Sequence, residues 1–307
     1  MARRSWIWLG QAALALLVAA FVWRALSGRW AEFRSLQLAV EPQAWPIILS
    51  ALTVWTTYAL LIEAWRRLLL AWRQRLGYRP AVRVWCLSNL GRYVPGKIWS
   101  VAGLAVLAER SGVKGWMAVA AAVVMQALIV GTGAAIVAAT VPGAASALTL
   151  AIGIALAAAT IAVLAFEPLG YAFVRLVRPG SEYHALPVGT AVVAAVVTLG
   201  SWISYGVAFW LLGRALVPAA GLTLIAAVGI FAGGYLVGLL ALFAPGGVGV
   251  REAVLVALLA PQVGASPAVV LTVASRLLLT VTEVGAALFA LIINPRAKGK
   301  MVEPSRP

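Results

Sequence analysis

A chain of 307 residues that is 63% hydrophobic and 11% charged, with a mean hydropathy of +0.99, carries more apolar surface than a water-soluble domain can bury. Its 24 Lys and Arg stand against nine acidic residues, all Glu, giving a net charge of +15. In a soluble protein that excess would point to nucleic acid. In a membrane protein it marks basic loops held on the cytoplasmic side near anionic headgroups, and no nucleic-acid motif accompanies it.

Met1-Ala2-Arg3-Arg4 leads into an apolar run at 6–23. No clean small-x-small cleavage site follows, so this run reads as a first transmembrane helix with the N-terminus inside rather than as a signal peptide. A second span covers about 45–64, since ~20 apolar residues cross the hydrocarbon core. Arg66, Arg67, Arg73, Arg75, Arg79 and Arg83 then form a cluster without an acid, which places the end of that span in the cytoplasm.

Residues 81–113 are apolar but interrupted by Asn89, Arg92, Pro95, Gly96, Lys97, Glu109 and Arg110. A straight span would hold Arg92 and Lys97 near mid-depth, at ~2.5–3.5 kcal/mol each. A re-entrant or broken pair of helices, turning at Pro95-Gly96, avoids much of that cost. Further spans are expected over about 116–140, 145–166, 188–212 and 222–243. Gly131, Gly133, Gly200 and Gly233-Gly234 within them would permit close helix contact. A second break follows at Pro245-Gly246-Gly247, then a short helix over about 251–260 stopped by Pro261, and a last span over about 267–293. The basic tail after it lies inside if the second break crosses the membrane, which charge bias favours.

The expected architecture is therefore an all-α polytopic membrane protein with seven to eight transmembrane helices and two re-entrant or broken segments. It forms one integral membrane domain over 1–307, with a first half at about 45–166 (break at 95–97) and a second at about 188–293 (break at 245–252). A shift of 150 residues aligns Pro95-Gly96 with Pro245-Gly246, Leu90 with Leu240 and Val106 with Val256; a further slip of two aligns Gly112 with Gly264. Interrupted segments at corresponding places in two halves point to an internal repeat and to the binding site of a transporter.

The chemistry available is that of binding rather than catalysis. Cys86 is the single cysteine and His184 the single histidine, which excludes an intramolecular disulfide, a His-based metal site and a Ser-His-Asp triad within one chain. No catalytic residue, metal or cofactor is expected, and no Gly-x-x-x-x-Gly-Lys-Ser/Thr motif supports direct use of ATP. At the second break, the Gly246-Gly247 turn opens a helix whose N-terminus suits an anion, and Arg251 adds a fork that matches phosphate. Glu252 would pair with Arg251 or favour the helix start. At the first break, Arg92 and Lys97 supply charge, Asn89 a neutral hydrogen-bonding group, and Tyr93 and Trp99 flanking rings. The bland alternative is that Arg92, Lys97 and Arg251 snorkel to the cytoplasmic surface.

Arg276 and Glu283 are seven apart on one helix, separated by ~10 Å along its axis. Each is expected to meet a partner on another helix: Arg276 with Glu252, and Glu283 or Glu63 with a basic residue. Structural ion pairing is one reading of these groups; a proton-coupling carboxylate at Glu63 or Glu283 is the other.

Asn89-Leu90-Gly91-Arg92-Tyr93-Val94-Pro95-Gly96-Lys97, Glu109-Arg110-Ser111-Gly112-Val113 and Pro245-Gly246-Gly247-Val248-Gly249-Val250-Arg251-Glu252 resemble the flippase-like membrane domain of lysylphosphatidylglycerol synthases. The resemblance covers about 10–295. It implies a bacterial or archaeal inner-membrane protein that moves a polar lipid between leaflets. It also implies a stand-alone member, since the soluble aminoacyl-transfer domain of full-length relatives would lie beyond Pro307, so lysyl transfer is not expected. The leading expectation is a translocator that holds an anionic or phosphate-linked lipid head between the two breaks. The alternatives are a non-transporting partner of a glycosyltransferase or lipid-synthesis enzyme, and a proton-coupled small-solute carrier acting through Glu63 and Glu283.

Overall fold

A computed structural model describes residues 42–93, 98–141, 147–166, 185–241, 247 and 249–293. The expected first span, the loop bearing His184, the Pro95-Gly96-Lys97 and Pro245-Gly246 turns, and the basic tail lie outside the described residues.

The described chain is helical. In order it forms α1 (Ala44–Ala71), α2 (Tyr78–Asn89), a 3-10 turn (Leu90–Tyr93), α3 (Ile98–Arg110), α4 (Gly115–Thr140), α5 (Ala147–Ala165), α6 (Val188–Leu216), a second 3-10 turn (Pro218–Ala220), α7 (Leu224–Leu240), α8 (Val250–Val263) and α9 (Ala265–Ile292). Four of these, α1, α4, α6 and α9, are long and apolar enough to cross a membrane. They run for 28, 26, 29 and 28 residues, and ~20 suffice. α7 is apolar but has 17 residues, about 25 Å at 1.5 Å per residue, so its break falls before a full crossing. The protein is a multi-pass helical membrane protein.

The internal repeat is visible in the order of elements. α1 to α4 and α6 to α9 each give a long helix, a helix ending at a break, a short helix and a second long helix. The short helices have 13 and 14 residues. Each is followed by a glycine at positive φ, Gly112 at 82° and Gly264 at 87°, the pair that the sequence alignment brought together. Packing follows the same symmetry: α1 lies on α6, α4 packs on α7 as α9 packs on α2, and α4 meets α6 as α9 meets α1. α5 stands between the repeats in sequence and packs on α4 and α6.

Two details correct the sequence reading. The short helix α8 does not stop before Pro261 but runs through it to Val263. In the last turn a proline removes only one N–H from the ladder, and it is Gly264 that ends the helix. Gly200 makes no close contact: a Cβ there would meet nothing within 4 Å. The other small residues do bring helices together. A Cβ on Gly133 would sit 2.6 Å from the Trp202 ring, and one on Gly131 would sit 2.8 Å from the Ala157 backbone.

The interior divides into two clusters, one around Trp65, Leu68, Leu69 and Met125, the other around Trp202, Phe209, Phe231 and Leu255. Buried tryptophans need a partner for the indole N–H. Trp65 donates to the carbonyl of Ala118 at 3.1 Å and Trp202 to that of Ile129 at 3.2 Å. These bonds tie α4 to both repeats and fix the wall on which the cavity between them is built.

Candidate functional site

Between the repeats lies a cavity of about 420 Å³, within the ~300–1,000 Å³ range of small-molecule sites. Both breaks reach it. The first contributes Asn89, Arg92 and Tyr93; the second contributes Gly247 and Arg251; α9 contributes Arg276 and Glu283.

The first break places its charge through a tight 3-10 turn at the end of α2. There Arg92 Nη1 donates to Glu283 Oε1 at 2.7 Å, and Nη2 donates to Asn89 Oδ1 at 3.0 Å. Tyr93 donates its hydroxyl to the other Glu283 oxygen at 2.5 Å. Both oxygens of Glu283 are thereby engaged, and Arg92 has a full counter-charge. The ion pair also joins the first repeat to α9 of the second.

The second break is arranged differently. Glu252 sits in the first turn of α8 and accepts the N–H of Gly249 at 2.6 Å. Its other oxygen accepts from Arg276 Nη1 at 3.3 Å. The Arg276–Glu252 pairing matches the expectation. Glu252 also favours the helix start, the other expected role, and by capping it leaves Gly249 no open donor for a ligand, against the expectation that this N-terminus holds an anion. Arg276 and Glu283, both on α9, each find a partner elsewhere and do not pair with one another.

Arg251 is the exception. It is 6% exposed, and its guanidinium lies 5.2 Å from the centre of the Phe231 ring. Its Nε and Nη2 are buried and have no hydrogen-bond partner among the described residues. Two glycines let it lie there. A Cβ on Gly238 would come within 2.8 Å of the Arg251 Cβ, and one on Gly247, which has φ of 69°, within 3.0 Å of the Gly238 carbonyl oxygen. Both nearby acids already serve other cations, so the described site holds a buried guanidinium without a counter-ion. Cation–π contact with Phe231 returns only part of its hydration, and an uncompensated buried charge is costly.

Other expected residues fall outside this centre. Trp99 on α3 is 54% exposed and does not line the cavity, whereas its neighbours Ser100 and Val101 do. Glu63 does not reach another helix. It pairs with Arg66 at 2.7 Å and Arg67 at 2.9 Å on α1, the i,i+3 and i,i+4 spacing of a helix-surface network, away from the cavity lining. Lys97 and Gly246 lie outside the described residues.

The sequence reading missed an aromatic shelf. Tyr58, Tyr205, Phe231 and Tyr235 line the cavity, with the Tyr205 and Phe231 rings stacked at 5.4 Å. Phe231 and Tyr235 are four apart on α7, a helical spacing that would have marked one face. Gln126 was also missed. It lies on α4, lines the cavity, and its buried Nε2 has no partner among the described residues.

The profile of the lysylphosphatidylglycerol synthase TM region matches residues 8–285. The chain belongs to that family. No curated protein and no solved structure matches it. The match covers the first repeat and the second as far as residue 285, so Asn89, Arg92, Arg251 and Glu283 all fall within it.

Proposed function

We propose that this membrane protein translocates an anionic, phosphate-linked lipid between the leaflets of a bacterial or archaeal inner membrane, with its N-terminus in the cytoplasm and without covalent chemistry. The observation that carries this reading is Arg251, a buried cation facing the cavity with two nitrogens unpartnered among the described residues. A guanidinium offers paired N–H groups that match phosphate oxygens. Arg92 and Arg276 have protein carboxylates as partners, so Arg251 is the residue assigned to the lipid head. The repeat supplies two bodies that can rock about the cavity. The Arg92–Glu283 pair bridges them and is the contact that such rocking would break and remake.

The test is reconstitution into liposomes with labelled phospholipids and polyprenyl-phosphate sugars. Protein-dependent transbilayer movement of an anionic lipid is expected, with a loss of at least about tenfold in Arg251→Gln, the effect of ~1.4 kcal/mol at one charge-assisted contact. Absence of movement across the panel contradicts translocation. Lipid binding without movement would instead describe a protein that presents a lipid to a partner enzyme.

A further inference from the structure

The cavity has two unlike walls, and the difference indicates where a lipid's chains go. α8 and α9 supply Arg251, Arg276 and Glu283, whereas α3 and α4 supply Val101, Leu104, Val119 and Val123. Val101 and Val123 line the cavity and are nevertheless 50% and 53% exposed. Side chains that face both the interior and the outside mark a mouth. On this flank the outside is the hydrocarbon of the bilayer, because α4 is a membrane-crossing helix. α3 packs on α2, α4 and the first-break turn, and makes no extensive contact with α7 or α8 among the described residues. Among the described residues, the flank is therefore not sealed against the elements that carry Arg251.

Volume makes such a mouth necessary. A space of about 420 Å³ holds a ligand of drug size, which a glycerophosphate head is and a two-chain phospholipid is not. We propose that the gap beside Val101 and Val123 is a lateral portal for an anionic glycerophospholipid. Its phosphate reaches Arg251 while its acyl chains run along the α3–α4 wall and stay in the membrane. This rests on the reading of Arg251 as the head site and adds the source of the anion: it arrives from the bilayer, by one flank, rather than from water. A charged head then meets the paired and unpaired arginines, and the chains meet a wall whose polar groups are the uncharged Ser100 and Gln126. That division places apolar surface against apolar surface and leaves no additional buried charge.

The experiment uses the full chain in nanodiscs containing phosphatidylglycerol with a photoreactive diazirine in its acyl chain, with adducts located by mass spectrometry. Adducts on α3 and α4 around Val101 and Val123 are expected, and they should fall about tenfold in Arg251→Gln, where the head loses its charge-assisted anchor. Val101→Trp should reduce labelling at Val123 by a similar factor. The wild-type map decides the matter even if the tryptophan variant does not fold. Adducts confined to the outer faces of α1 or α5 overturn the portal. If glycerophosphoglycerol still binds in an Arg251-dependent way in that case, the head site stands and only the portal falls. Portal labelling that is indifferent to Arg251→Gln overturns the link between chain and head.

Discussion

The first and second repeats share one plan, but their short helices and the long helices after them give the cavity different surfaces. α3 and α4 present mainly aliphatic side chains with the uncharged Ser100 and Gln126, while the matching α8 and α9 present two arginines and a glutamate. The scaffold fixes where a break and its short helix fall; the side chains then make one wall suited to hydrocarbon and the other to charge. The second difference is in pairing. At the first break the cation Arg92 is neutralised across the repeats by Glu283, whereas at the second break Arg251 is buried without a partner among the described residues. A symmetric frame thus yields an asymmetric site, in which one arginine pairs across the repeats and the other has two nitrogens without a partner among the described residues.

This contrast can be broken most severely at the bridging pair. Arg92→Ala leaves Glu283 buried without its cation and should cost about 2–4 kcal/mol, less than a fully enclosed pair because the Arg92 side chain is 34% exposed. Thermal unfolding followed by size exclusion should show the loss, and the exchange Arg92→Glu with Glu283→Arg should recover part of it. A stability equal to wild type would mean that the ion pair does not join the repeats.

The contrast can be sharpened by moving charge to the apolar side. Gln126→Glu is nearly isosteric and places an acid on the first repeat's wall. Anionic lipid movement should fall about tenfold, equivalent to ~1.4 kcal/mol, and should return on acidification that protonates the introduced carboxyl. A pH-independent loss would instead indicate damage to packing. The smallest effect is expected at Glu63→Gln. Its partners Arg66 and Arg67 lie on the same helix, where i,i+3 and i,i+4 pairs contribute about 0.3–0.5 kcal/mol. Transport should be unchanged; a complete loss in a folded variant would make Glu63 a coupling carboxylate and move the working charge away from the cavity.

Much of this fold was legible in the chain. Long apolar runs mark the crossing helices, and Pro-Gly turns beside charge mark both breaks. The Arg276–Glu252 pair was also accessible, since the two lie 24 residues apart on consecutive helices, Glu252 in the first turn of α8 and Arg276 within α9. The partner of Glu283 was not, because Arg92 is 191 residues away and only the packing of α2 on α9 brings them together. Trp99 shows a finer limit: at a helix start one residue changes the face by about 100°, so Ser100 and Val101 line the cavity while Trp99 points outward. Glu63 was assigned a distant partner when two arginines within four residues satisfy it. The aromatic shelf was obscured by composition, as rings in apolar helices look like ordinary core until their shared face is known.

The most direct measurement is an experimental map of the protein in nanodiscs containing phosphatidylglycerol. The account predicts density for a lipid phosphate within about 3 Å of the Arg251 guanidinium, with chain density leaving past Val101 and Val123. A carboxylate or carbonyl of the protein occupying those guanidinium nitrogens, with the cavity empty of lipid, would contradict it.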